Sequence, residues 1–310
     1  MPGIVSLLPS ATEWVVALGL DADLRGVTFE CDEPAGVAEG RQVVVEGLPT
    51  TGLDPGAVDA LVRARLAAGE PLYTLDTAAL GRIAPDVVLT QDLCAVCALP
   101  ADAAREACEL VGNPATVVTL DPHTLPEVLD GATTVAAACG VPERGRLLRE
   151  RLQGRLDAVS AGVRNRGRPR VLVLEWTDPP FVAGHWVPEL VAAAGAEPVL
   201  AAPGARSTSV GWGDVQHEAA DADAVLVAPC GYGLDDAVRQ ARDVLDRLPT
   251  GPSVWAVDAG AVVTRPGPRV VDGVEALAAA WHDVGPPRPD LVLRVRGPGM
   301  PPTTPYAAQT

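Results

Sequence analysis

Short apolar runs rich in β-branched residues recur along the first third of the chain: GIVSLL at 3–8, RGVTF at 25–29, QVVVE at 42–46, DVVLT at 86–90 and TVVTL at 116–120. Each is the length of a buried strand, and segments with helical start signals lie between them. After the first run, Pro9-Ser10-Ala11-Thr12-Glu13 resembles a helix start. Ser10 is expected to cap, and Glu13 completes the box ahead of the apolar stretch Trp14 to Leu20. Asp54-Pro55 opens a helix through about Ala68, and Thr77 to Ile83 forms another. Strands and helices in alternation predict a parallel, doubly wound sheet covered on both faces.

Residues 125–165 break that pattern. LPEVLDGATTVAAACG and PERGRLLRERLQGRLDAVSAGVRNRG read as two helices. The second, at about 143–165, places Leu147, Leu148, Leu152, Leu156 and Val159 near helical spacing, with arginines on the other face. Such a helix can serve as a rigid spacer. Strand signals resume at 170–174 (RVLVL), 198–201, 223–228 (DAVLVA) and 254–258 (VWAVD). From Gly285 the chain turns proline-rich and is expected to pack little. The expected organisation is an α/β protein with two Rossmann-like lobes built on parallel sheets: an N-terminal lobe over 1–124, linking helices over 125–168, a C-terminal lobe over 169–285, and a disordered tail over 286–310.

Composition narrows the function. The chain has 310 residues, and 24 basic against 40 acidic side chains leave a net charge of −16; every basic residue is Arg. An acidic chain without basic runs repels the phosphate backbone, so no nucleic-acid partner is expected. No apolar stretch approaches the roughly 20 residues of a spanning helix, so no membrane insertion is expected. The start has no cationic leader and no small-residue cleavage site, which reads as a first strand rather than a signal peptide and predicts a cytoplasmic protein. There the six cysteines are expected to be thiols or metal ligands rather than disulfides.

In open parallel sheets ligands gather beyond the carboxyl ends of the strands, and the informative residues cluster there. Strand 25–29 runs into Glu30-Cys31-Asp32, and strand 86–90 into Gln91-Asp92-Leu93-Cys94-Ala95-Val96-Cys97. Strand 170–174 leads into Glu175-Trp176 and on to Phe181 and Gly184-His185-Trp186, and strand 223–228 into Pro229-Cys230-Gly231-Tyr232. Four loops, two from each half, are thus expected to face one another across a cleft. There is no glycine-rich phosphate loop, no G-x-S-x-G elbow and no H-E-x-x-H helix, which weakens nucleotide-dependent and hydrolase readings.

The succession SLLPSATE, ECD, LYTLD, PDVVLTQDLCAVCAL, VLEWTDPPFVAGHWVPELVAAAG, VAPCGYGL and RPGPRVVDGVEALA resembles the cobalamin-type substrate-binding proteins of ABC importers, the helical-backbone metal receptors. More narrowly it resembles their leaderless cytosolic branch. The match runs in order over about residues 3–282. It implies a class III periplasmic-binding-protein-like architecture: two α/β lobes joined by one long backbone helix, moving little, with the ligand between them. An importer needs its binding component outside the membrane, so contact with an ABC permease is not expected of a chain that is not exported.

Each candidate also has a plainer reading. Cys94 and Cys97, with Cys31 from a neighbouring strand end, suit a soft metal ion or an iron–sulfur cluster with one open position; alternatively they are a redox pair or small loop residues. Cys230 is a weaker metal candidate, whereas Cys108 and Cys139 fall inside helical patterns and read as core. His185 can bind a metal in an incoming ligand, or simply fix its loop. Of the remaining histidines, His123, His217 and His282 read as surface residues. Glu175, directly after a buried strand, needs a partner, for which Arg265 and Arg269 are candidates in a structural salt bridge. Trp176, Phe181, Trp186 and Trp212 can form a flat apolar wall for a corrin, with Ser10, Tyr232 and Arg265 as further ligand contacts. The leading expectation is a cytosolic binding protein for a cobalamin-like corrinoid or another metal-containing small molecule. The rivals are a metalloenzyme using Cys31, Cys94 and Cys97 with Glu175 and His185 as acid or base, and a dithiol redox protein using Cys94 and Cys97.

Overall fold

The computed structural model describes residues 2–50, 52–93 and 99–297. They form two compact units, Met1–Gly154 with Pro266–Pro268, and Arg155–Arg265 with Arg269–Thr310. The division between Gly154 and Arg155 falls inside one helix.

The first unit is built from β1 (Ile4–Ser6), α1 (Pro9–Ala17), β2 (Leu24–Thr28), β3 (Gln42–Gly47), α2 (Pro55–Ala67), β4 (Tyr73–Leu75), α3 (Thr77–Ile83), β5 (Val87–Thr90), α4 (Ala101–Leu110), β6 (Thr116–Thr119) and α5 (Leu125–Ala138). Its sheet runs β4-β3-β2-β1-β5-β6. All neighbours are parallel except β3 and β4. Val5, Leu7, Val44, Leu80, Val88 and Ala104 pack into one of its cores. Asp54 and Asp76 cap α2 and α3, each accepting a backbone N–H three residues on at 2.8 Å. Helix α1 departs from expectation. Its N-cap is Leu8 with Pro9 in the first turn, so Ser10 lies one position inside the helix, buried, with its Oγ making no hydrogen bond. A proline is preorganised for the first helical position and needs no N–H there, which draws the helix start ahead of Ser10.

Helix α6 (Pro142–Val163) is the long one. Leu148, Leu152, Leu156 and Val159 are buried along one side, while Leu147 faces solvent. A stripe spaced by four, four and three residues closes one helical face, and Leu147 falls off it. In the first unit Arg149 Nε donates to Asp130 of α5 at 2.6 Å. In the second, Arg155 bridges Asp272 and Glu275 at 2.6 Å each.

The second unit continues with β7 (Arg170–Thr177), β8 (Pro180–Val182), α7 (Val187–Ala193), β9 (Glu197–Val199), β10 (Thr208–Ser209), α8 (Trp212–Ala220), β11 (Ala224–Val227), α9 (Leu234–Asp243), β12 (Ser253–Val257), α10 (Ala259–Val262), α11 (Val270–His282) and β13 (Val292–Arg296). The sheet order is β10-β8-β7-β11-β12-β13, with β9 also on β7. Strands β9, β7, β11 and β12 are mutually parallel; β8, β10 and β13 run antiparallel to their neighbours. Leu172, Leu174, Val215, Val225, Ala237, Leu245 and Val254 fill a core beneath the sheet. Over residues 286–297 the expected tail is corrected, while residues 298–310 lie outside the described residues: β13 pairs with β12 from Val254↔Arg296 to Val257↔Val292. Its Arg296 is buried and donates to the carbonyls of Pro249 at 2.6 Å and Leu245 at 3.5 Å, which closes an edge that would otherwise expose β12.

Candidate functional site

Strand β7 outlasts its apolar run, and its last turn of ladder is irregular. Leu174 pairs with Val182 and Trp176 with Phe181, so Glu175 is the extra residue of a bulge. A bulge re-aims the side chain it carries. On the β11 side the Glu175 carbonyl still accepts the Cys230 N–H at 2.9 Å. Its carboxylate accepts the Gly184 N–H at 3.2 Å and the Ser207 hydroxyl. Neither Arg265 nor Arg269 pairs with it, which corrects the expected salt bridge: the bulge turns the side chain toward the two ends of the connection between β8 and β10. Burial pushes the Glu175 carboxyl up to about 7, against the opposing pull of Ser207 and Gly184.

Those two donors belong to segments that also meet through their backbones. His185 N–H donates to Ala205 C=O at 2.5 Å, and Gly204 N–H donates to His185 C=O at 3.0 Å. His185 has φ +49°, in the left-handed region. A Cβ on Gly184 would lie 2.2 Å from the Ser207 nitrogen and 2.6 Å from the Ala205 oxygen, so only glycine permits this approach. The His185 ring is half-buried, 5.9 Å from that of Trp186.

The aromatic residues divide. Trp176 and Tyr232 meet at 5.6 Å between ring centroids, tilted by 50°. Phe181 is the cross-strand partner of Trp176, and all three are half-buried. The indole N–H of Trp176 donates to Asp178 C=O at 3.0 Å. The other two members of the expected wall are elsewhere. Trp186 is 5% exposed, and its indole N–H donates to Val263 C=O at 2.8 Å, so it belongs to the core. Trp212 packs on the core below the sheet with the Arg247 guanidinium 5.1 Å above its ring. What remains is a set of Trp176, Phe181 and Tyr232 on the strand ends that also carry His185.

In the first unit Cys31 is buried, its Sγ 3.1 Å from Thr12 Oγ1 and 3.4 Å from both Thr28 Oγ1 and the Thr28 N–H, which donates to it. Cys94 and Cys97 lie outside the described residues, and among the described residues no group of three His, Cys, Asp or Glu side chains is arranged to hold a metal ion. Cys108 and Cys139 are buried, and burial pushes both thiols up, Cys139 to about 11. Cys230 is exposed, and Arg265 is half-buried. His123 and His217 are exposed as expected, but His282 is buried, and burial lowers its pKa. It falls on the inner face of α11, whose apolar spacing extends to its last turn. Sequence reasoning passes over Ser207 and Gly184: a Ser in a polar loop carries no signal, and the only hint at Gly184 is its place before a histidine.

Solved structures share this fold over nearly the whole chain. The periplasmic heme-binding protein RhuT of Roseiflexus sp. RS-1 is 22% identical with a TM-score of 0.66, covering 91% of this chain and 98% of that one. The periplasmic vitamin B12 binding protein BtuF of Vibrio cholerae is 19% identical at 0.63, covering 90% and 96%. The periplasmic heme binding protein HutB of the same organism is 20% identical at 0.64, covering 90% and 98%. The fold is therefore that of the class III periplasmic binding proteins. No family model matches the chain, and no curated protein matches it.

Proposed function

We propose that the protein is a binding protein for a flat, metal-centred macrocycle, a corrinoid, held at the strand ends of the second unit. The observation that carries this reading is the half-buried aromatic set Trp176, Phe181 and Tyr232 at strand ends from which the chain also brings up an imidazole, His185. Aromatic faces offer area to a large planar ligand, and a neutral imidazole is the protein ligand best suited to its metal. Proteins of this fold bind vitamin B12 in one case and heme in two others, which supports the ligand class. The proposed setting is the cytosol, where the protein receives, stores or hands on the cofactor. The free, buried thiols of Cys108 and Cys139 suit a reducing compartment. No described helix is long and apolar enough to cross a membrane.

Calorimetric and visible-spectrum titrations with hydroxocobalamin, cyanocobalamin and hemin test the reading. Saturable binding of a corrinoid in preference to hemin is the expected result. No binding of any of the three at high micromolar concentration overturns it.

A second reading has one observation behind it. A carboxyl held near 7 is poised for proton transfer, so Glu175 with His185 would serve a small-molecule enzyme on the same scaffold. Iron and labile sulfide in protein purified without oxygen would favour that enzyme, through the cluster proposed for Cys31, Cys94 and Cys97.

A further inference from the structure

We infer that Glu175 is a positioning residue: its bulged carboxylate clips the 204–207 loop to the Gly184-His185 turn and thereby fixes the direction of the His185 imidazole. The part of this inference that concerns ligand rests on the proposed binding role of His185; the clip itself does not.

Three independent features of the geometry converge on Glu175. First, the bulge takes it out of register on the β8 side while its carbonyl stays anchored to Cys230 at 2.9 Å, so the backbone is fixed and the side chain is redirected. Second, its two carboxylate oxygens are divided between two segments, Oε1 to Gly184 and Oε2 to Ser207. Third, His185 stands between those contacts in a left-handed conformation, held by reciprocal backbone bonds to Ala205 and Gly204. A non-glycine residue at positive φ costs on the order of 1 kcal/mol, so something around it must hold it there. The loop from Gly204 to Ser207 belongs to no helix, and its two β10 neighbours are exposed. To those backbone bonds Glu175 adds a side-chain hydrogen bond to each segment, from the Gly184 N–H and from the Ser207 hydroxyl.

The consequence is specific. With no polar atom at position 175, as in Glu175→Leu, both segments lose the side chain that joins them, and the imidazole loses its fixed direction without leaving the loop. A carboxylate in direct contact with ligand would behave differently, because its effect on affinity would persist when His185 is absent.

The test uses the full chain, wild type against Glu175→Leu, Ser207→Ala and His185→Ala, with unchanged far-ultraviolet circular dichroism as the folding control. Hydrogen exchange without ligand reads the clip. The amides of His185 and Gly204 should exchange about tenfold faster in Glu175→Leu, which removes both side-chain hydrogen bonds of the clip, and faster in Ser207→Ala as well. Titration with hydroxocobalamin and with hemin reads the positioning. Glu175→Leu should weaken binding about tenfold in the wild-type background and add nothing to His185→Ala. The visible spectrum of the bound probe should shift toward that of the His185→Ala complex. Unchanged exchange in both Glu175→Leu and Ser207→Ala overturns the inference, as does an equal loss of affinity with and without His185. If neither probe binds the wild type, the binding role falls and the exchange result alone decides the clip, so the two failures are distinguishable.

Discussion

At the start of the first unit's central strand, the Asp86 carboxylate accepts the Gly3 N–H at 2.7 Å, while the Asp86 N–H donates to Gly3 C=O at 2.8 Å and the Asp86 C=O accepts from the Thr116 N–H at 2.8 Å. The second unit does the same at Asp223, whose carboxylate accepts the Arg170 N–H at 2.7 Å and whose backbone joins Arg170 and Ser253 at 2.9 and 3.0 Å. The far ends differ. In the first unit the chain leaves β1 directly into α1, and the strand-end chemistry is a buried Cys31 among threonine hydroxyls. In the second it turns back through β8, and the strand end holds a bulged carboxylate, a strained histidine and open aromatic rings. Backbone hydrogen-bond accounting at the strand starts has one economical solution, and both units adopt it. The strand ends carry no such constraint. Divergence is therefore concentrated where a ligand can be met.

The difference between the ends can be broken most sharply at a glycine. In Gly184→Ala the new Cβ meets backbone atoms of Ser207, Arg206 and Ala205 at 2.2 to 2.6 Å. Backbone cannot swing away, so a loss of about 3 kcal/mol is expected in urea denaturation, together with faster exchange throughout the 204–207 loop. The first unit offers a control in Gly267→Ala. There the three nearest atoms belong to the Glu13 side chain, the closest at 2.6 Å, and a smaller loss of about 1 kcal/mol is expected. Equal losses would mean that the clip is no tighter than ordinary packing.

Next in size is the pH dependence of Glu175. Its carboxyl is raised to about 7 in the folded chain from 4.5, with burial the leading cause. Between those values the native state holds a proton that the unfolded chain has lost, so stability falls as pH rises through that window. The full cost, up to about 2–3 kcal/mol, is reached above pH 7. Glu175→Gln carries no such charge. Denaturation of wild type and variant at pH 5 and pH 8 should show the variant gaining on the wild type at the higher pH. A constant difference would show that the carboxylate is not desolvated.

How much of this was legible in the sequence follows the same division. The strands β1, β5, β7, β11 and β12 announce themselves as β-branched runs, and Asp54 and Asp76 mark helix starts because the capping side chain is itself the signal. The strand β13 hides behind Gly285-Pro286-Pro287-Arg288-Pro289, and its inward Arg296 makes a packed edge read as a solvated tail. A bulge leaves no composition mark, so the turn of Glu175 toward Ser207, rather than toward Arg265 or Arg269, depends on a register set by β8. The tryptophans illustrate the limit of residue type as evidence. An indole can bury its face in the core as readily as offer it to a ligand, and only the register of Trp176 against Phe181 separates the two outcomes.

That ambiguity supplies a third test. Trp186→Phe keeps the buried ring but strands the Val263 carbonyl now bonded at 2.8 Å, and should lower stability by about 1–1.5 kcal/mol in thermal unfolding. In Trp212→Phe the N–H removed has no hydrogen-bond partner, so the midpoint should stay in place or rise slightly. A large loss at Trp212 would put that indole to some use the core does not explain.

The smallest effect probes the similarity rather than the difference. Asp86→Ala and Asp223→Ala each delete one carboxylate acceptor of a strand-opening N–H and leave the backbone ladder in place. Both aspartates are exposed, so water can replace the lost acceptor, and each change should cost about 0.5–1 kcal/mol. The informative quantity is the difference between them, which should be near zero if the two sheets open by the same device. Arg170 is additionally tied to Asp221 C=O at 2.7 Å and to Glu218 at 3.2 Å. Gly3 has no side chain with which to do so. Should Asp86→Ala prove the costlier by more than the whole expected loss, with exchange confined to β1, the shared geometry would hide unequal dependence. The first unit would then rely on the carboxylate for what the second obtains from an arginine.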